Sequence, residues 1–168
     1  MKSSAALFFA VIILFLSLTS CTEQKTPTCR EIISAITESE IGLPAGKYYS
    51  ILSPEGDDEY LSDSLLLALY GSSATPKISK NWIDYAVFLS ATSSPCEFTA
   101  VCCRDRNTAN DTAKLLSARL NVIKSTRKDT LYAPLLAQAT VTVRGNFVLL
   151  IISSDTDAAL SAAWELIK

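Results

Sequence analysis

Few side chains in this sequence have reactive potential, and each kind needs a partner at the right spacing. Ser125-Thr126-Arg127-Lys128 fits Ser-x-x-Lys, the spacing at which a desolvated lysine can take the proton of a serine nucleophile for acyl transfer. The stretch is charged, lies at the exit of a helical pattern and lacks the Ser-Asp-Asn and Lys-Thr-Gly companions, so a solvated helix end explains it better. Asp84 and Glu97 fall on neighbouring strand patterns, and paired carboxylates can cleave a glycosidic bond. Counting through the intervening turn sets Glu97 near Ser90 and Asp84 near Cys103, several residues apart, which suits strand-end polarity better than acid–base work. Histidine is absent. That excludes Ser-His-Asp and Cys-His catalysis, His-ligated zinc and an imidazole pH switch.

Four of the five cysteines, Cys29, Cys96, Cys102 and Cys103, lie beyond the first 28 residues. They form no Cys-x-x-Cys, which weakens zinc-ribbon and thioredoxin-like readings. In an exported chain they could pair, with three possible connectivities. Cys102 and Cys103 are strand neighbours pointing to opposite faces, so a bond between them would be strained. Packing is the plainer expectation, since free cysteine is among the most buried residue types. The acids Asp57, Asp58 and Glu59 lack the spacing, glycine and distal glutamate of an EF-hand loop. No catalytic, cofactor or metal site is therefore assigned, and no enzyme activity is expected.

Those residues need a frame. A chain of 168 residues suits one domain. With 15 Lys and Arg against 17 Asp and Glu it carries a formal charge of −2 and no basic stripe, so nucleic acid is not an expected partner. Its 49% hydrophobic content is concentrated in part at the start. Residues 1–20 read as an export signal: Lys2, an apolar run from Ala5 to Leu16, then small and hydroxylated residues. That run is too short to span a bilayer, which takes about 20 apolar residues. Thr22 to Thr28 is polar apart from Pro27 and reads as a tether.

The spacing beyond it predicts an α+β domain over 29–168. Thr28 caps a first helix carrying Ile32, Ile33, Ala35 and Ile36, which ends at Ile41-Gly42-Leu43-Pro44. Lys47 to Leu52 is a weak extended piece. Asp57, Asp58 and Glu59 open a second helix with Leu61, Leu65, Ala68 and Leu69 as its apolar face and Gly71 at its end. Trp82–Thr92 and Glu97–Cys103 form a hairpin. A long helix from about Thr108 follows, with Ala113, Leu116, Leu120 and Ile123 inward, Lys114, Arg119 and Lys124 outward, and Arg127-Lys128-Asp129 at its end. Ala139–Arg144, Gly145-Asn146 and Phe147–Ile152 make a second hairpin, whose continuously apolar last strand belongs inside a sheet. Ser154 or Asp155 caps a final helix with Leu160, Ala163, Trp164 and Ile167 in one stripe. The sum is an antiparallel sheet of about four strands, in ββαββα order, with helices packed on it.

Two resemblances add an address. Leu18-Thr19-Ser20-Cys21 resembles the lipobox of bacterial lipoproteins, which implies cleavage before Cys21 and a diacylglyceryl group on its thiol; two acyl chains suffice for firm anchoring. Residues 1–20 are then the lipoprotein signal peptide and 21–28 a lipidated tether. From about Trp82 onward, Asp84-Tyr85-Ala86-Val87, Cys96-Glu97-Phe98-Thr99-Ala100-Val101, Arg119-Leu120, Tyr132-Ala133-Pro134 and Arg144-Gly145-Asn146-Phe147-Val148-Leu149-Leu150 resemble the bacterial "domain of unknown function 4358" family, mostly small clostridial lipoproteins. Cys102-Cys103 departs from that pattern. The resemblance implies location on the outer face of the cell membrane and carries no activity. Glu97, Arg119 and Tyr132 belong to it as possible ligand or contact positions, although buried pairing or capping explains them equally well. The expectation is a membrane-anchored binding or assembly module with an envelope protein as partner. An envelope hydrolase using carboxylate or Ser-Lys chemistry and a solute-binding accessory of a transporter are the alternatives.

Overall fold

A computed structural model of the chain describes residues 26–40, 42–71, 79–127 and 131–167. The signal and Cys21, together with Lys128-Asp129 of the long helix's exit, lie outside the described residues. Helix α1 spans Cys29–Ser39. Thr28 starts it with a capping box: its Oγ1 accepts from the Glu31 amide at 3.1 Å while its own amide donates to Glu31 Oε2 at 2.7 Å. Strand β1 is Gly46–Ser50 and helix α2 is Asp63–Tyr70. A single 3-10 turn at Ser79–Asn81 leads into the hairpin of β2 (Trp82–Ser90) and β3 (Glu97–Cys103). Helix α3 (Arg106–Arg127) and the short α4 (Ala133–Gln138) precede the hairpin of β4 (Thr140–Arg144) and β5 (Phe147–Ile152). Helix α5, Thr156–Leu166, is capped by Asp155, whose carboxylate accepts from the Ala158 amide at 3.0 Å.

The strands form one antiparallel sheet in the order β1-β2-β3-β5-β4. It is an α+β fold with one strand more than the pattern indicated. The extra strand is the weak Lys47–Leu52 stretch, which begins at Gly46 and pairs Tyr48 with Phe88. Only glycine fits there, because a Cβ on residue 46 would collide with Phe88 Cζ and lie 2.7 Å from the Leu89 carbonyl oxygen.

Helices cover both faces of the sheet. On one, α1 and α5 bury Ile32, Ile33, Ile36, Ala159 and Ala163 against Ala86, Phe88, Phe98, Ala100, Leu149 and Ile151. On the other, α2, α3 and α4 bury Leu66, Ala109, Leu116, Leu120 and Leu136 against Tyr85, Val87, Val101, Val148, Leu150 and Ile152. This double cover is why β5 is buried from end to end and why its sequence does not alternate. The two-residue turn of its hairpin holds Gly145, its first central residue, at φ 59 while Asn146 has no positive φ, the pattern of a type II′ turn with glycine at the first central position.

Two details of the helices differ from the sequence pattern. Asp57, Asp58 and Glu59 precede α2 in a turn; Ser62 caps the helix by accepting from the Leu65 amide. Leu66 is its buried residue and Ala68 is exposed. In α3, Arg119 does not face outward with Lys114 but turns toward the sheet, for the reason given next. Lys124 is half-buried and its Nζ donates to the Ala139 carbonyl.

Candidate functional site

The sheet face under α2 and α3 carries a polar cluster within apolar surroundings. Alternation along β3 puts Glu97, Thr99, Val101 and Cys103 on this face. Glu97 is 3% exposed, and a carboxylate so buried needs a charged partner. Arg119 supplies it in a two-pronged pair: Nε donates to Oε1 at 2.7 Å and Nη2 to Oε2 at 2.5 Å. The Thr99 hydroxyl donates to Oε1 at 3.2 Å, and Arg119 Nη1 donates to the Leu69 carbonyl at 3.0 Å, tying the end of α2 into the cluster.

Aromatic rings roof the pair. The Arg119 guanidinium lies 5.8 Å from the centre of the Tyr70 ring. The Tyr70 and Tyr85 hydroxyls share a hydrogen bond of 2.6 Å, and Tyr85 stacks on Trp82 at 5.0 Å. Trp82 Nε1 in turn donates to the Thr112 hydroxyl at 2.9 Å. Burial, and after it the Glu97 charge, pushes the Tyr70 phenol well above its ordinary range. Tyr85 is raised in the same way, by burial and then by Tyr70. Burial works against the Arg119 charge, yet hydrogen bonding and attraction from Glu97 leave that guanidinium above its ordinary value. Both tyrosines therefore stay neutral and the Arg119 guanidinium stays charged at any ordinary pH. Above this cluster a cleft of about 340 Å³ opens between α2 and α3, lined by Leu69, Tyr70, Leu115, Ala118, Arg119 and Val122.

The sequence-derived candidates separate in space. Glu97 and Arg119 come together as a buried pair, the structural role weighed for them from sequence. Tyr132 is engaged elsewhere, its hydroxyl 3.0 Å from Ser93 Oγ and its ring under the Arg127 guanidinium at 5.9 Å. Asp84 faces the α1 side of the sheet, opposite Cys102, and Glu97 pairs with Leu89 at the other end of the hairpin. Both registers are one residue from the sequence count, and the two carboxylates are divided by the sheet, so they form no acid–base pair. Ser125 is exposed and its hydroxyl donates to the Val122 carbonyl; Lys128 lies outside the described residues.

The cysteines pack as their type suggests. Cys29, Cys96 and Cys103 are buried and Cys102 is half-buried, all four as free thiols. Among the described residues, no group of three Cys, Asp or Glu side chains is arranged to hold a metal ion, and no helix is long and apolar enough to cross a membrane. Sequence reasoning missed Tyr70, Tyr85 and Thr99 as members of the cluster. The available signal was Glu97 itself, an acid at an inward position of an otherwise apolar strand. Compared with known proteins, the chain matches no family model, no curated protein and no solved structure.

Proposed function

We propose that this chain is a lipid-anchored domain on the extracytoplasmic face of the cell membrane, acting as a binding or assembly module of the envelope. The observation that carries the reading is the position of Cys21. It follows Leu18-Thr19-Ser20 at the end of an apolar run too short to span a bilayer, and a brief polar stretch separates it from the cap of α1. The likeness to the "domain of unknown function 4358" pattern agrees with that address. A binding role is favoured over hydrolysis because Glu97 and Arg119 neutralise one another, Ser125 is exposed on a helix end, and Asp84 is on the far face of the sheet. A surface for a partner is available in the cleft between α2 and α3, on the sheet face opposite the helix that the tether enters.

Metabolic labelling with a fatty acid tests the anchor. The wild-type chain should take up label and fractionate with membranes, and Cys21→Ala should lose the label. Label retained by the variant would refute the lipoprotein reading. Affinity capture from solubilised membranes, comparing wild type with Val122→Asp in the cleft, then tests for the partner. A protein held by the first and lost by the second supports the module.

A further inference from the structure

On the sheet face under α1, two of the three cysteines in the apolar layer adjoin one carboxylate. The Cys29 amide, at the first turn of α1, donates to Asp84 Oδ2 at 2.6 Å in a buried hydrogen bond. Asp84 is directly opposite Cys102 in the β2–β3 register, a placement that sets the two Cα atoms about 4.5–5.5 Å apart with both side chains on the same face. Cys29 and Cys102 thus adjoin the same Asp84 side chain in one apolar layer. Of the other two described thiols, Cys96 shares that apolar layer but lies away from Asp84, and Cys103 is on the opposite face. Cys103 points through to the α3 face, where its sulfur donates to Thr112 Oγ1 at 3.4 Å, and Cys96 precedes the far end of β3.

We propose that Cys29 and Cys102 are a disulfide-forming pair, closed by exchange with an oxidised dithiol compound or protein disulfide. Cys102, the half-buried member, attacks the incoming disulfide; its sulfur bonds to one sulfur of the oxidant, and the other leaves with the bonding electrons and takes up a proton. Fully buried Cys29 then attacks Cys102 of that mixed disulfide and expels the second sulfur as a thiol. Two thiols are oxidised, one disulfide is reduced, and the two protons end on the released thiols. Burial, with the Asp84 charge beside it, raises both thiols above their ordinary range. No thiolate is then stabilised in the reduced form, which favours a bridge that resists reduction. The bridge would fasten the first turn of α1, where the tether enters, to the centre of the sheet.

The inference rests on the proposed address only for the compartment in which the oxidant is met. Its test does not: the full-length chain, solubilised in detergent, is equilibrated in an oxidising buffer of reduced and oxidised glutathione, alkylated, digested without reductant and mapped by mass spectrometry. The expected product is a peptide pair joined through Cys29 and Cys102, present in Cys96→Ser and absent in Cys102→Ser. Reduction should lower the Tm of the wild type by roughly 5–15 °C. Recovery of both residues as alkylated thiols from the wild type, or a bridge from either to Cys96 or Cys103, would overturn the pair. Failure of fatty-acid labelling at Cys21 would leave this result unaffected.

Discussion

Glu97 and Arg119 are bound to each other by two hydrogen bonds between the first residue of β3 and the middle of α3, with side-chain exposures of 4% and 16%. The pair is thus a cross-layer joint. Arg119→Ala should cost about 3–5 kcal/mol, because it leaves a buried carboxylate without its partner. The double change Glu97→Leu with Arg119→Met should recover most of that loss, since an apolar pair of similar volume needs no desolvation of charge. Denaturant titration of the two variants checks this, and equal destabilisation would contradict it.

Alkaline pH should unfold the protein earlier than its acids and bases would at ordinary values. Cys96 is pushed up from 9.0 to about 12 by burial first and then by Glu40 and Glu97; Tyr70 and Tyr85 are raised from 10.0. In each case the folded chain keeps a proton that the unfolded chain releases. Stability is therefore fully present below the unfolded values and is lost as pH climbs toward the folded ones, a window of about pH 9–12. Urea titrations across that range should show a steady decline above pH 9, and Tyr70→Phe should soften the part above pH 10.

Two glycines should fail for opposite reasons. Gly145 has open space around it but sits at φ 59, so Gly145→Val should cost about 1–3 kcal/mol in backbone strain. Gly46 has no positive φ and no room. Gly46→Ala should loosen β1 by about 1–3 kcal/mol through overpacking against Phe88. Hydrogen exchange at the β1 amides would rise in the second variant and not in the first.

The centre of the sheet sets the scale for both. Ile151 is fully buried in β5, and Ile151→Ala should cost roughly 2–5 kcal/mol through the cavity left behind. Lys114→Ala, at an exposed residue paired only with Asp111 one turn away, should stay within about 0.5 kcal/mol. Parallel thermal melts would separate the two.

The hairpins were legible because their signals are local: Glu97–Cys103 and Phe147–Ile152 were read to the residue, and Gly145-Asn146 marked its own turn. Strand β1 was faint because its reason lies in another strand, the Phe88 ring that excludes a side chain at Gly46. Helix α4 is only six residues long and has no side-chain cap, too little for a periodic pattern. The start of α2 was misplaced because acids favour any helix entrance within a turn or so, whereas the cap that fixes it is Ser62. The charge of Arg119 alone points it to solvent. Its inward turn is set by Glu97, a partner distant in sequence, and helical spacing cannot register that.

Ile83 gives the hairpin a change of parity. Trp82 pairs with Cys103 and Asp84 with Cys102, so Ile83 is an extra residue, 58% exposed, in a bulge. Without the bulge, strict alternation would put Trp82 and Asp84, two residues apart, on one side. With it, the indole reaches Thr112 beneath α3 while the carboxylate meets α1 on the reverse of the sheet. The bulge therefore acts through the backbone and not through the Ile83 side chain. Ile83→Ser should pass almost unnoticed, and deleting Ile83 should leave a regular strand in which Trp82 and Asp84 are neighbours pointing to opposite faces, so that the indole stays under α3, the carboxylate stays under α1, and both helices keep their seats.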